Sequence, residues 1–181
     1  MKLTTAACAC ALVLTAPALY AQTATQAAST TAANPLPPVD RAFVQAASMS
    51  SSTEIDASKL ASSNTDNKDV KSFAHEMILD HTKMTLELKM AAPHGVTVPK
   101  DNSDMAVLDA LRPLKGAQFD KMYVQKVGLE GHKQAIAAFE KEISDGQNAS
   151  LKKAAQKALP TIKDHYQKAQ QLAAKLEVTA Q

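Results

Sequence analysis

The stretch Ser150–Leu176, SLKKAAQKALPTIKDHYQKAQQLAAKL, carries apolar or small residues at Leu151, Ala155, Ala158, Ile162, Ala169, Leu172 and Leu176. Their steps alternate between four and three, with His165 filling the one remaining place in the series. That spacing keeps a single stripe on one side of a 3.6-residue helix, so the segment reads as a long amphipathic helix with lysines and glutamines on its other faces. Pro160 lies inside the pattern and predicts a kink near its middle.

Working outward, the same alternation recurs three times. A first helix is expected from about Asp40, as N-cap, to Ser62, with a stripe of Phe43, Ala47, Ser50, Glu54, Ala57 and Ala61. The polar cluster Ser62–Asn67 breaks it. A second is expected over Lys68–Ala92 through Val70, Phe73, Ala74, Met77, His81, Met84, Leu88 and Ala91, stopped by Pro93. A third spans about Ala117 to Ile143, with Phe119, Met122, Leu129, His132, Ile136, Phe139 and Ile143 on one side. Ser144-Asp145-Gly146 closes it, the glycine suiting a left-handed residue past a helix end.

The turns between the first and second helices, and between the third and fourth, are short and make antiparallel hairpins. Pro93–Gly116 between the hairpins is far longer than neighbours need, and it holds a short helical candidate at Ser103–Leu111. One long crossover distinguishes a ferritin-like four-helix bundle from an up-down-up-down one. The expected fold is therefore all-α, a ferritin-like four-helix bundle with its crossover between helices 2 and 3. Scarce aromatics, at 4%, and no tryptophan fit helices better than sheets.

Upstream, Met1–Ala21 reads as a signal peptide: a cation at Lys2, an apolar run from Leu3 to Leu19, then small residues. Residues 22–39 form an Ala/Thr/Ser/Pro-rich stretch without a periodic apolar face, expected to be a flexible tether, and the folded domain is expected at residues 40–180. The protein is thus expected in the periplasm or secreted, after cleavage near Ala21, with no transmembrane span in its mature part. Cys8 and Cys10 both fall within the signal segment. The mature chain would hold no thiol, which excludes disulfides, a cysteine nucleophile and thiolate metal sites. Losing Lys2 leaves a net charge of about +1, too balanced for a nucleic-acid partner. The sequence names no protein partner.

Several motifs together resemble a known family. These are Asp40-x-x-Phe43, Glu54-Ile55, Lys59-Leu60-Ala61, Val70-Lys71-x-Phe73-Ala74-x-x-Met77-x-x-Asp80-His81, Gly95, Phe119-Asp120-x-x-Tyr123, His132, Phe139, Pro160 and His165. They resemble the exported bacterial ferritin-like family catalogued as domain of unknown function 4142, over roughly Asp40 to Leu176. The resemblance implies the fold and export, and no reaction. It also leads to an acidic residue before His132, where this chain has Gly131.

Each predicted helix sets one ionisable group in its apolar stripe: Glu54, His81, His132 and His165. Such groups are costly to bury unless hydrogen-bonded, paired or bound to a metal. Imidazole and carboxylate are ligands that zinc, iron, manganese and copper accept. These four residues are the candidate metal ligands, with Glu76, Asp80 and Asp164 placed to stand behind them. The Glu-x-x-His pair of ferritin-like di-iron centres is absent. Counting about 1.5 Å per residue from the hairpin turns puts His81 roughly 7 Å beyond the level of Glu54 and Glu76, with His132 and His165 offset by a similar amount.

Alternative readings exist. Core histidines and acids can be merely hydrogen-bonded in a structural or stress-related binding module, with His94 and Gly95 of the crossover as a surface feature. Met77, His81 and Met84 share a face that would suit Cu(I), although methionine at stripe spacing is ordinary core filler. No nucleophile stands beside a base and no phosphate loop occurs, so the residues name no enzymatic reaction. Asp120 and Tyr123, one turn apart, are expected to tie to each other.

Overall fold

The computed structural model describes residues 36–178, and among them every regular element is helical. The predicted signal peptide and most of the predicted tether lie outside the described residues. Helix α1 is Pro38–Asn64, α2 Lys68–Ala91 and α3 Met105–Leu111; α4, Gly116–Tyr123, leads through a π-helical stretch, Val124–Gly131, into α5, His132–Asp145; α6 is Ala149–Lys175. No described helix is long and apolar enough to cross a membrane.

Local chemistry sets most boundaries. Asn67, Asp104 and Asn148 each accept hydrogen bonds from two backbone N–H groups in the first turn of α2, α3 and α6. The start of α1 differs from expectation. Pro38 opens the helix, since proline suits a first turn, and Leu36 ahead of it is already buried. Asp40 sits inside that turn, and its Oδ1 accepts the backbone N–H of Gln147 and Asn148, each at 3.0 Å, fastening α1 to the α5–α6 turn.

That turn corrects the reading of Gly146, which is not left-handed but extended at φ −57° and ψ 144°. Glycine is needed for space: a Cβ there would lie 2.4 Å from the Glu142 carbonyl oxygen and 2.5 Å from Glu142 Oε1. Pro160 does not end α6, which runs through it with the ring exposed.

Four long rods pack with α1 on α2 and on α5, α6 on α5 and on α2. The connection from α2 to α4 retraces the length of α1. Ser48 donates to the Pro99 carbonyl, Thr53 accepts the Asp104 N–H, and Asn64 donates to the Leu114 carbonyl beyond α3. Val98, Leu108 and Leu111 are buried along this path.

The core has two apolar parts. One gathers Ala57, Phe73, Met77, Phe119, Tyr123, Val127 and Ala169; the other gathers Phe43, Ala47, Met84, Phe139, Leu151 and Ile162. On every rod the buried side chains between these sets are polar.

The third rod is where periodicity misleads. A helix without interruption puts Met122 and Leu129 inside, yet both are only partly buried, whereas Tyr123, Val124 and Val127 are sealed. The π-helical stretch has wider turns and so rotates the inward face relative to an α-helix count. Gly128 lets this wide stretch approach α6, since a Cβ there would meet the Ala169 Cβ at 2.8 Å. A smaller shift occurs in α1, where Ser51 rather than Ser50 is buried.

Candidate metal centre

Between the two apolar parts lies a layer built from Ser51 and Glu54 of α1, His81 of α2, His132 at the start of α5 and His165 of α6, all buried. The imidazole centroids are 5.8 Å apart for His81 and His132, 5.5 Å for His81 and His165, and 5.4 Å for His132 and His165. A ligand nitrogen from each lies within 4.8 Å of the others. The sequence count of levels is therefore corrected, because the rods are shifted along one another and the π-helical stretch resets the third.

Each ring is held from its outer side. His132 Nδ1 lies 2.9 Å from the Val127 carbonyl oxygen, which can only accept, so that nitrogen carries the proton. Glu54 Oε1 stands 3.4 Å from the same nitrogen. His165 Nε2 donates to Asp80 Oδ2 at 2.9 Å. His81 Nδ1 makes a longer contact, 3.4 Å, with the Ser51 hydroxyl. The other nitrogens, His81 Nε2, His132 Nε2 and His165 Nδ1, are buried and have no partner.

Burial keeps the His81 and His132 rings neutral. Burial pushes His81 well below the ordinary histidine range, helped by His132 and His165. Burial likewise brings His132 down to about 4, opposed by its hydrogen bond to Val127. Desolvation raises Glu54 well above the usual carboxylate range.

The predicted residues divide. Glu54 is not part of the close group; it supports His132 from behind. Gly131, found in place of an acid, makes room for it, since a Cβ there would come within 2.9 Å of Glu54 Oε1. Asp80 orients His165. Glu76, Asp80 and His165 form a second, overlapping group of potential ligands, but the Lys168 ammonium holds Glu76 and also pairs with Asp164, 2.7 Å away. Met77 and Met84 belong to the two separate apolar parts, which divides the methionine arrangement imagined for Cu(I). His94 and Gly95 are exposed. Asp120 and Tyr123 do not bond: Tyr123 shares a 2.6 Å hydrogen bond with Ser58, and Asp120 Oδ1 has no partner.

Sequence reasoning missed Ser51 and the Val127 carbonyl. Ser51 stands three residues before Glu54, so a stripe through Ala47, Ser51 and Glu54 would have found it. Nothing local marks the Val127 carbonyl, which depends on the π-helical stretch.

The arrangement defines an all-helical domain with a polar histidine layer in its core. The chain belongs to the family described as domain of unknown function DUF4142, whose profile matches residues 22–172. A crystal structure of a candidate secreted protein from Streptomyces coelicolor, assigned to DUF305, has a similar fold. The TM-score is 0.64 at 15% sequence identity, over 79% of this chain and 96% of that one. No curated protein matches the chain.

Proposed function

We propose that the chain is an exported, ferritin-like four-helix bundle that holds one transition-metal ion on His81, His132 and His165. The carrying observation is the convergence of three buried, unpartnered ring nitrogens, each on an imidazole whose opposite nitrogen is already engaged. Buried polar atoms are nearly always satisfied, and three lone pairs facing one point repel unless a cation sits among them. An outer acceptor that orients each ring is the usual support for a histidine ligand.

Three imidazoles without a thiolate suit zinc or copper, whereas manganese and iron favour more carboxylate than this layer supplies. Zinc bonds of about 2.1 Å require the nitrogens to draw in somewhat from their present spacing, a small ring rotation. Three protein ligands leave a coordination position open. The ferritin-like part of the reading rests on the connection that retraces α1, and export rests on the Met1–Ala21 pattern together with the description of the similar Streptomyces protein.

Thermal denaturation of chelator-treated protein tests the metal. At a hundredfold excess over Kd, zinc or copper should add about 2.7 kcal/mol of stability. His81→Ala, His132→Ala and His165→Ala should each abolish that increment, and His94→Ala should keep it. No response to zinc, copper, iron or manganese in folded protein would leave the layer as a hydrogen-bonded core alone.

A further inference from the structure

The outer partners of the three rings differ in their access to solvent. Ser51 beside His81, and Glu54 and Val127 beside His132, are all buried. Asp80, which accepts from His165 Nε2, is the exception, with its side chain 36% exposed. Among these partners, only Asp80 therefore joins the histidine layer to solvent.

Further acids gather at this opening. Glu76 stands one turn before Asp80 on α2, and Asp164 precedes His165 on α6, with side chains 35% and 54% exposed. The Lys168 ammonium lies against Glu76 and 2.7 Å from Asp164. Three carboxylates thus face this one cation. One ligand atom each from Glu76, Asp80 and His165 lies within 4.8 Å of the others, and carboxylate oxygen and imidazole nitrogen are donors that zinc accepts. His165 belongs to the inner group as well: its Nε2 meets Asp80, while its Nδ1 is buried and unpartnered in the core.

We propose that Glu76, Asp80 and His165 form an outer capture site, where a divalent transition-metal ion such as zinc docks before entering the three-histidine layer, displacing the Lys168 ammonium from Glu76. The inference rests on the metal reading of that layer and adds its route of entry. An excess of negative charge at an opening concentrates cations there and speeds their arrival. Binding at His165 Nε2 moves that nitrogen's proton to Nδ1; passage of the ion inward to Nδ1 returns the proton to Nε2, where Asp80 accepts it.

Stopped-flow uptake of zinc by chelator-treated protein, with free zinc followed by a weak indicator dye, tests the route. Glu76→Gln should slow uptake about tenfold, with the final occupancy and the thermal response of the histidines unchanged. Lys168→Met should speed uptake, and Glu87→Gln, which removes the same charge from α2 two turns beyond Asp80, should match the parent. In His81→Ala, which dismantles the inner group, calorimetry should still show zinc binding one to one. That binding should be on the order of a hundredfold weaker than in the parent, since carboxylates replace imidazoles and Lys168 competes, and adding Glu76→Gln should abolish it. Uptake by Glu76→Gln as fast as by the parent would overturn the capture site and leave the histidine centre standing, as would zinc binding to His81→Ala that survives Glu76→Gln. No zinc uptake by the parent would overturn both.

Discussion

Replacing Glu142 by glutamine probes a second buried carboxyl cluster, far from the histidines. Glu142 of α5 is buried with both carboxyl oxygens unpartnered, beside Asp40, whose Oδ2 is also unpartnered. Burial and the neighbouring charge of Asp40 push Glu142 up to about 7, with Lys152 opposing weakly. Glu142 therefore retains a proton up to near neutral pH. Because the folded protein binds this proton more tightly than the unfolded chain, the associated stability is complete below about pH 4.5 and is lost as pH rises through about 7.

The gap corresponds to about 3 kcal/mol. Nearby solvent at this end of the domain screens it, leaving about 1–2 kcal/mol. Glutamine mimics the protonated acid and can donate to Asp40 at every pH. Glu142→Gln should therefore equal the parent at pH 5 and exceed it at pH 8 by about 1–2 kcal/mol. In thermal melts that is roughly 3–10 °C for a domain of this size. Urea titrations at both pH values provide the check. Curves that stay parallel for parent and variant from pH 5 to 8 would refute the proton retained on Glu142.

Other substitutions test the packing. Leu172→Asp puts a charge into the apolar core and should cost several kcal/mol, whereas Lys175→Asp, which breaks an exposed pair with Asp69, should cost about half a kcal/mol; equal melting temperatures would show that the wrong face of α6 was assigned. Gly128→Ala should cost about 1–3 kcal/mol by pressing on Ala169, and Ala169→Gly in the same protein should restore much of it in a denaturation cycle. Ser58→Ala leaves the buried Tyr123 hydroxyl without its partner and should cost about 1–2 kcal/mol, measured by urea denaturation.

Much of the fold was legible because helices are specified locally. Alternating steps of four and three marked the long helices, and the side chains of Asn67, Asp104 and Asn148 cap helices close to the expected starts. The π-helical stretch was not legible, since Phe119 and His132 fit an uninterrupted helix as well as the real one. Its signal was indirect: Gly128 and Gly131, costly in an ordinary helix, stand where backbone and Glu54 need the space.

The sequence by itself determined that Glu54, His81, His132 and His165 would each lie within an apolar stripe, because side-chain periodicity along one helix decides which residues turn inward. It could not decide which of them meet. That depends on how far the rods slide past one another and on the wider turns of Val124–Gly131, both set by side-chain volumes contributed from different helices. Only the tertiary structure therefore drew three histidines together, placed Glu54 behind His132, and turned one unpartnered nitrogen of each imidazole into the core.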